Sequence, residues 1–191
     1  MSHYLVGVVV NNISEVDDIL APYDENMEVE PYTDEDGETI TYNPNSKWDW
    51  YAIGGRWGDG DNVIQIKDFK LYDDLDDDTL ALYKKAWESF EGKCKLTEDE
   101  EKKIFGEFRM WNDKYYLDRY GTCENYIKAI SSNIPYAFVD VNRWYEKGQM
   151  GWWGMDNATQ ESIEDYTEFA EKYFTAEENQ NKYIVWVDCH I

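Results

Sequence analysis

The sequence predicts an α+β fold, on three observations. The first is a β-branched, apolar run at 4–10, Tyr-Leu-Val-Gly-Val-Val-Val, of the kind a central strand needs when both its faces are buried. The second is a strongly strand-like run at 183–191. The third is a set of intervening segments whose apolar residues recur at helical spacing.

Taken in order, Asn11 and Asn12 break the first strand. Ser14 then caps a short helix to Leu20, with Val16, Ile19 and Leu20 on one side. Residues 21–38 hold eight acids and no base and read as a solvated loop. Residues 38–42 alternate as a short strand that Asn43-Pro44 ends, and 62–66 read as another. A helix is predicted over 79–90, with Leu82, Ala86 and Phe90 in one stripe. A second opens on Thr97-Glu98-Asp99-Glu100, a capping box, carries Ile104, Phe108, Trp111 and Tyr115, and stops at Gly121. Residues 135–141 read as a strand that 143–146 return as a hairpin. A helix over 161–174 points Ile163, Tyr166, Phe169, Ala170 and Phe174 inward. The order suits a ferredoxin-like antiparallel sheet with an inserted helical pair: one domain over 1–191, with the insertion over 73–121.

Composition narrows the function. Aromatics make up 17% of the chain, with 9 Trp and 16 Tyr, so a core is available and extensive disorder is excluded. Lys and Arg number 18 against 41 Asp and Glu, a net charge of −23. A phosphate backbone or an anionic membrane needs clustered cations, and those here are scattered. A basic protein partner is the expectation. The longest apolar run, at 5–10, is too short to span a bilayer, and no basic leader precedes it. Three cysteines at unrelated spacings read as free thiols, and the expected compartment is the cytoplasm. Phosphate-loop, dinucleotide, nucleophile-elbow and zincin motifs are absent, and no cofactor or metal is expected.

Three segments carry residues suited to chemistry. In the first, Asp49, Trp50, Tyr51, Gly54, Gly55, Arg56 and Trp57 combine flat rings, a backbone free to approach a ligand and a guanidinium that fits phosphate or carboxylate. The blander alternative is a turn whose rings plug the core, with Arg56 paired to Asp49. In the second, 147–156, Trp152 and Trp153 stand among three glycines and suit a pocket wall. The alternative is a hinged loop whose Trp side chains cover a sheet edge. In the third, alternation puts Trp186, Asp188 and His190 on one face. Asp188 and His190 make a candidate acid–base pair. If the first and last strands are antiparallel neighbours, His3 joins them. A structural His190 is the alternative. The acidic runs supply candidate partner-binding residues: Asp34, Glu35 and Asp36, then Asp73, Asp74, Asp76, Asp77 and Asp78. Solvated surface is their ordinary reading.

The blocks WDWYAIGGRW at 48–57, GQMGWWGM at 148–155 and VDCHI at 187–191 together resemble a family of small proteins encoded by phages, prophages and their bacterial hosts. The match covers under a fifth of the chain. The resemblance implies a mobile-element origin, and a role similar to counter-defence factors such as inhibitors of CRISPR effectors, exercised in the host cytoplasm. Two active readings follow. One is an inhibitor that docks its acidic surface on a basic host defence effector. The other is capture or cleavage of a nucleotide signal, with Arg56 on phosphate, Trp50, Trp57, Trp152 and Trp153 on a base, and Asp188 and His190 moving protons. A structural or regulatory domain without a pocket is the third.

Overall fold

The computed structural model describes residues 2–57, 61–151 and 153–191. In chain order its principal elements are β1 (His3–Val10), α1 (Val16–Leu20), β2 (Tyr32–Thr33), β3 (Thr39–Ile40), β4 (Trp50–Ile53) and β5 (Val63–Gln65). Then come α2 (Asp77–Phe90), α3 (Glu98–Phe105), α4 (Asp113–Tyr120) and α5 (Cys123–Ile130). The chain continues with β6 (Ala137–Val139), β7 (Trp144–Glu146), α6 (Gln160–Thr175) and β8 (Tyr183–His190). Two compact units result: Met1–Phe69, Pro135–Ala158 and Ser162–Ile191 in the first, Lys70–Ile134 and Thr159–Glu161 in the second.

The first unit is α+β. Its sheet runs β4-β8-β1-β6-β7, with β5 pairing the start of β8, and among the strands of the described residues only the β1–β6 pair is parallel. β2 and β3 form a separate hairpin. The ferredoxin-like order is not what the strands adopt. A split βαβ unit sets an antiparallel strand between two parallel ones, whereas β6 lies directly against β1 and β7 lies outside it. The connection from β1 to β6 contains the second unit, so the sequence pattern could specify the strands without specifying which one sits beside β1.

Register divides the side chains cleanly. Tyr4, Val6, Val8, Val10, Val185, Val187, Cys189, Ala137 and Val139 share one face and pack with Val16 and Leu20 of α1 and with Trp48. The other face carries Phe138, buried completely. Its ring lies 4.6 Å from that of Tyr145 and 4.9 Å from those of Tyr173 and Phe174 of α6. That helix thus covers the sheet face opposite α1. Toward the end where β1 starts and β8 finishes, the same face carries Leu5, Asp188, Ala52, His3, His190 and Trp50. The layering explains why the central strands read as apolar on both faces.

The second unit buries Ala86, Trp87, Phe90 and Tyr126. It holds four helices rather than the expected pair. The predicted long second helix breaks after Phe105, because Gly106 takes φ +75° as a cap and Asn112 starts α4 by accepting from the Tyr115 N–H at 3.0 Å. The Arg109 guanidinium lies 4.9 Å from the Phe90 ring centre and 5.0 Å from those of Phe105 and Tyr116. Among the described residues no helix is long and apolar enough to cross a membrane.

Phe138→Ala removes the ring on which five aromatic neighbours converge. It is expected to lower stability by about 3–5 kcal/mol, read from the urea midpoint.

Candidate functional site

Strand pairing assembles the site. β1 and β8 are antiparallel with His3 opposite His190, and β4 runs on the other side of β8 with Trp50 also opposite His190. Residues opposite one another across an antiparallel pair share a face. His3, His190 and Trp50 therefore meet, although 185 residues separate His3 from Asp188 beside it. The His3 and His190 ring centres lie 4.9 Å apart at 74°. Trp50 stacks on His190 at 5.0 Å and 17°, and meets His3 edge-on at 5.2 Å.

Each imidazole has its own carboxylate. His3 Nδ1 lies 2.9 Å from Asp188 Oδ1, and His190 Nδ1 lies 2.6 Å from Asp49 Oδ1. The expected coupling of Asp188 with His190 is thus replaced by a crossed arrangement. Residues two apart on one strand face are about 7 Å apart, so each histidine finds its acid on a neighbouring segment instead. A carboxylate accepts, so Nδ1 of each ring carries the hydrogen and each Nε2 is left to take or give a proton. Histidines oriented in this way are suited to general acid–base chemistry. Asp188 is only 2% exposed and His190 4%, so water competes little for either.

The glycine pair has a defined purpose. Gly54 and Gly55 take φ +76° and +50°, and the Gly54 N–H donates to the Trp186 carbonyl at 2.7 Å. The turn brings the backbone onto Asp188, whose Oδ2 accepts from the Arg56 N–H at 3.2 Å. A Cβ on Gly55 would overlap the Asp188 side chain. The Arg56 side chain is exposed and makes no ion pair among the described residues. The bland pairing of Arg56 with Asp49 is therefore not formed, since Asp49 serves His190.

The second block reaches the same end of the sheet through a residue the sequence did not single out. Ser2 and Ile191 exchange backbone hydrogen bonds of 2.9 and 3.0 Å just beyond His3 and His190. The Ser2 hydroxyl donates to the Gly151 carbonyl at 2.7 Å and accepts from the Gly154 N–H at 2.6 Å. Trp153, on the turn so held, is 80% exposed. It covers no sheet edge. Trp152 lies outside the described residues. A serine next to a strand carries no pattern that marks it as a loop anchor.

Other candidates fall elsewhere. Tyr51 sits opposite Cys189, on the α1 face, where its ring meets Trp48 and its hydroxyl bonds Asp17. It is a core residue rather than part of the site. Trp57 is exposed beside Arg56. Asp34 accepts from the N–H groups of Asp36 and Glu38 at 3.0 and 2.8 Å and so closes its own turn, on which Glu35 and Asp36 are exposed. Asp73 accepts from Asn133 at 3.0 Å, and Asp74 pairs with Lys70 at 2.8 Å. Asp76 caps α2 at Thr79, a bond that holds its carboxyl below the usual range. Asp77 and Asp78 occupy the first turn of α2, where negative charge suits the helix dipole. Among the described residues no group of three or more His, Cys, Asp or Glu is placed to hold a metal ion.

No protein-family model, curated protein or solved structure matches the chain. The functional argument therefore rests on the geometry.

Gly55→Ala forces a side chain into the left-handed region and against Asp188. It is expected to cost about 1–3 kcal/mol, seen as a lower urea midpoint, whereas alanine at exposed Gly37 changes the midpoint less.

Proposed function

We propose that the protein captures a small nucleotide-type ligand at the sheet end formed by β1, β4 and β8. One observation carries the reading: the blocks at 48–57 and 187–191 meet there around two carboxylate-oriented histidines, while the block at 148–155 reaches only the same end of the sheet, through Ser2. Trp50, 44% exposed, offers its outer face for a base to stack on. Arg56 is exposed on the turn that its backbone N–H fastens to Asp188, so its guanidinium is offered to an anion. A purely structural role leaves exposed Trp50, Trp57 and Trp153, and a guanidinium that makes no ion pair among the described residues, without a purpose.

The test is a thermal-shift series with mononucleotides, dinucleotides and cyclic nucleotides. A ligand at a hundred times its Kd adds about 2.7 kcal/mol, a rise of roughly 5–10 °C for a chain of this size. The rise is expected to vanish in Arg56→Ala and Trp50→Ala while the unliganded melting point of Arg56→Ala stays within about 2 °C of the parent, as suits an exposed position. The absence of a shift with every nucleotide overturns the reading.

A second reading rests on charge. Most of the excess acid lies in the first unit, on a chain of net charge −23. We infer from it a phage-borne inhibitor that docks on a basic host effector such as a CRISPR nuclease. Asp34, Glu35 and Asp36 are its best-placed contacts, since Asp73 to Asp78 already serve α2 and its approach. Binding to such an effector is expected to weaken steeply between 50 and about 200 mM salt, as charge-steered association does. Affinity that ignores salt rejects it.

A further inference from the structure

Resting on the capture reading, we propose that the His3–His190 pair cleaves a ribonucleotide phosphodiester by attack of the substrate's own 2′-hydroxyl. The nucleophile is the first question. Leu5, Trp50 and Ala52 share the face and sheet end of the two imidazoles, with Gly55 against Asp188, and among the described residues none of these carries a hydroxyl or thiol; the Ser2 hydroxyl beyond His3 is held between Gly151 and Gly154. Cys189 and Tyr51 point to the opposite face, where burial pushes the Cys189 thiol up and out of reach of ionisation. The attacking oxygen must arrive with the ligand. A hydroxyl beside the phosphorus needs no protein group to hold it, and attack from within the substrate avoids the entropy of fixing a separate water.

Charge decides the ester. Of the cations in the two Trp-Gly segments, Lys47 is tied to Glu146 at 2.7 Å and Lys147 lies over the Tyr136 ring at 5.0 Å. Arg56 is exposed and makes no ion pair among the described residues, so it is the cation offered to the ligand. A chain of net charge −23, with Asp49 and Asp188 at the site itself, repels each further negative charge. A phosphodiester carries one such charge, whereas terminal monophosphates and polyphosphates carry two or more. The single-charge ester fits one guanidinium.

The step balances with two protons. One Nε2 takes the 2′-hydroxyl proton as that oxygen bonds to phosphorus. The P–O5′ bond breaks, and its electron pair leaves on the 5′-oxygen, which takes a proton from the other Nε2–H. The products are a 2′,3′-cyclic phosphate and a free 5′-hydroxyl. Asp49 and Asp188 hold the rings through Nδ1 in both halves of the exchange, and no other reactant enters.

The experiment incubates the full chain with ribodinucleoside monophosphates and their 2′-deoxy counterparts in chelator, with products separated by chromatography. Thermal shift is read on the same samples. Cyclic phosphate from the ribo substrates, none from the deoxy ones, and a loss of at least about 100-fold in each of His3→Gln and His190→Gln is the expected result. Melting points of both variants control for misfolding. Asp49→Asn, at a half-exposed carboxylate, gives an independent loss through the His190 ring. Equal cleavage of the deoxy substrates, or cleavage that needs a metal ion, overturns the proposal. A thermal shift without cleavage overturns it and leaves the capture reading standing. Neither shift nor cleavage removes both.

Discussion

Eight consecutive residue pairs tie β1 to β8, from His3 opposite His190 to Val10 opposite Tyr183. Both strands are apolar on both faces, and each needs a layer above and below it. The α1 and Trp48 layer fills one side, and α6 fills the other around Phe138, with Phe69 set between Phe174 and Trp186. Side-chain period is two, so a slip of one residue would send every valine of this pair to the wrong layer. The register is therefore held by the whole core. His3 and His190 inherit that precision at its end, where α6 no longer supplies the aromatic cover that Phe138 receives.

The two carboxylates do different work. Asp188 is almost fully buried and divides its oxygens between the His3 ring and the Arg56 N–H. It fastens the glycine turn to β8 as firmly as it orients a histidine. Asp49 is more open, and its own N–H donates to the His190 carbonyl at 3.0 Å. Its backbone thus registers β4 against β8 while its side chain serves the ring. Trp50 closes the flank of His190. A buried polar group without partners is costly, and this set is built so that each Nδ1 is satisfied by a carboxylate.

Much of this was legible in residue order. Alternation put Asp188 and His190 on one face, and the first-to-last strand pairing brought His3 to them. Asp49 was harder to place. It lies one residue before its strand, where alternation has nothing to say, and a nearby arginine offered a simpler partner. Tyr51 was grouped with its neighbours by aromatic density, although the period of two assigns it to the core with Cys189. In the helical unit the stripe from Ile104 to Tyr115 concealed a break, because the spacing survives across the turn between Gly106 and Asn112. The helix Cys123–Ile130, capped by Thr122, followed so closely on Gly121 that the stop masked the next start. Strand order was not legible, because adjacency across a long connection depends on packing that no local pattern encodes.

The placement of β8 at the centre of the sheet also bears on how the chain acquires its shape. The strand that β1, β4 and β5 all pair with is synthesised after nearly everything else. At ribosomal rates of roughly 5–20 residues per second, β1 waits on the order of ten seconds or more for its partner, with its apolar edge open to solvent. The helices of the second unit draw on local contacts and are free to form in that interval, whereas the sheet closes only across long loops and so condenses late. A chain cut short before β8 retains most of its residues and lacks the imidazole pair entirely.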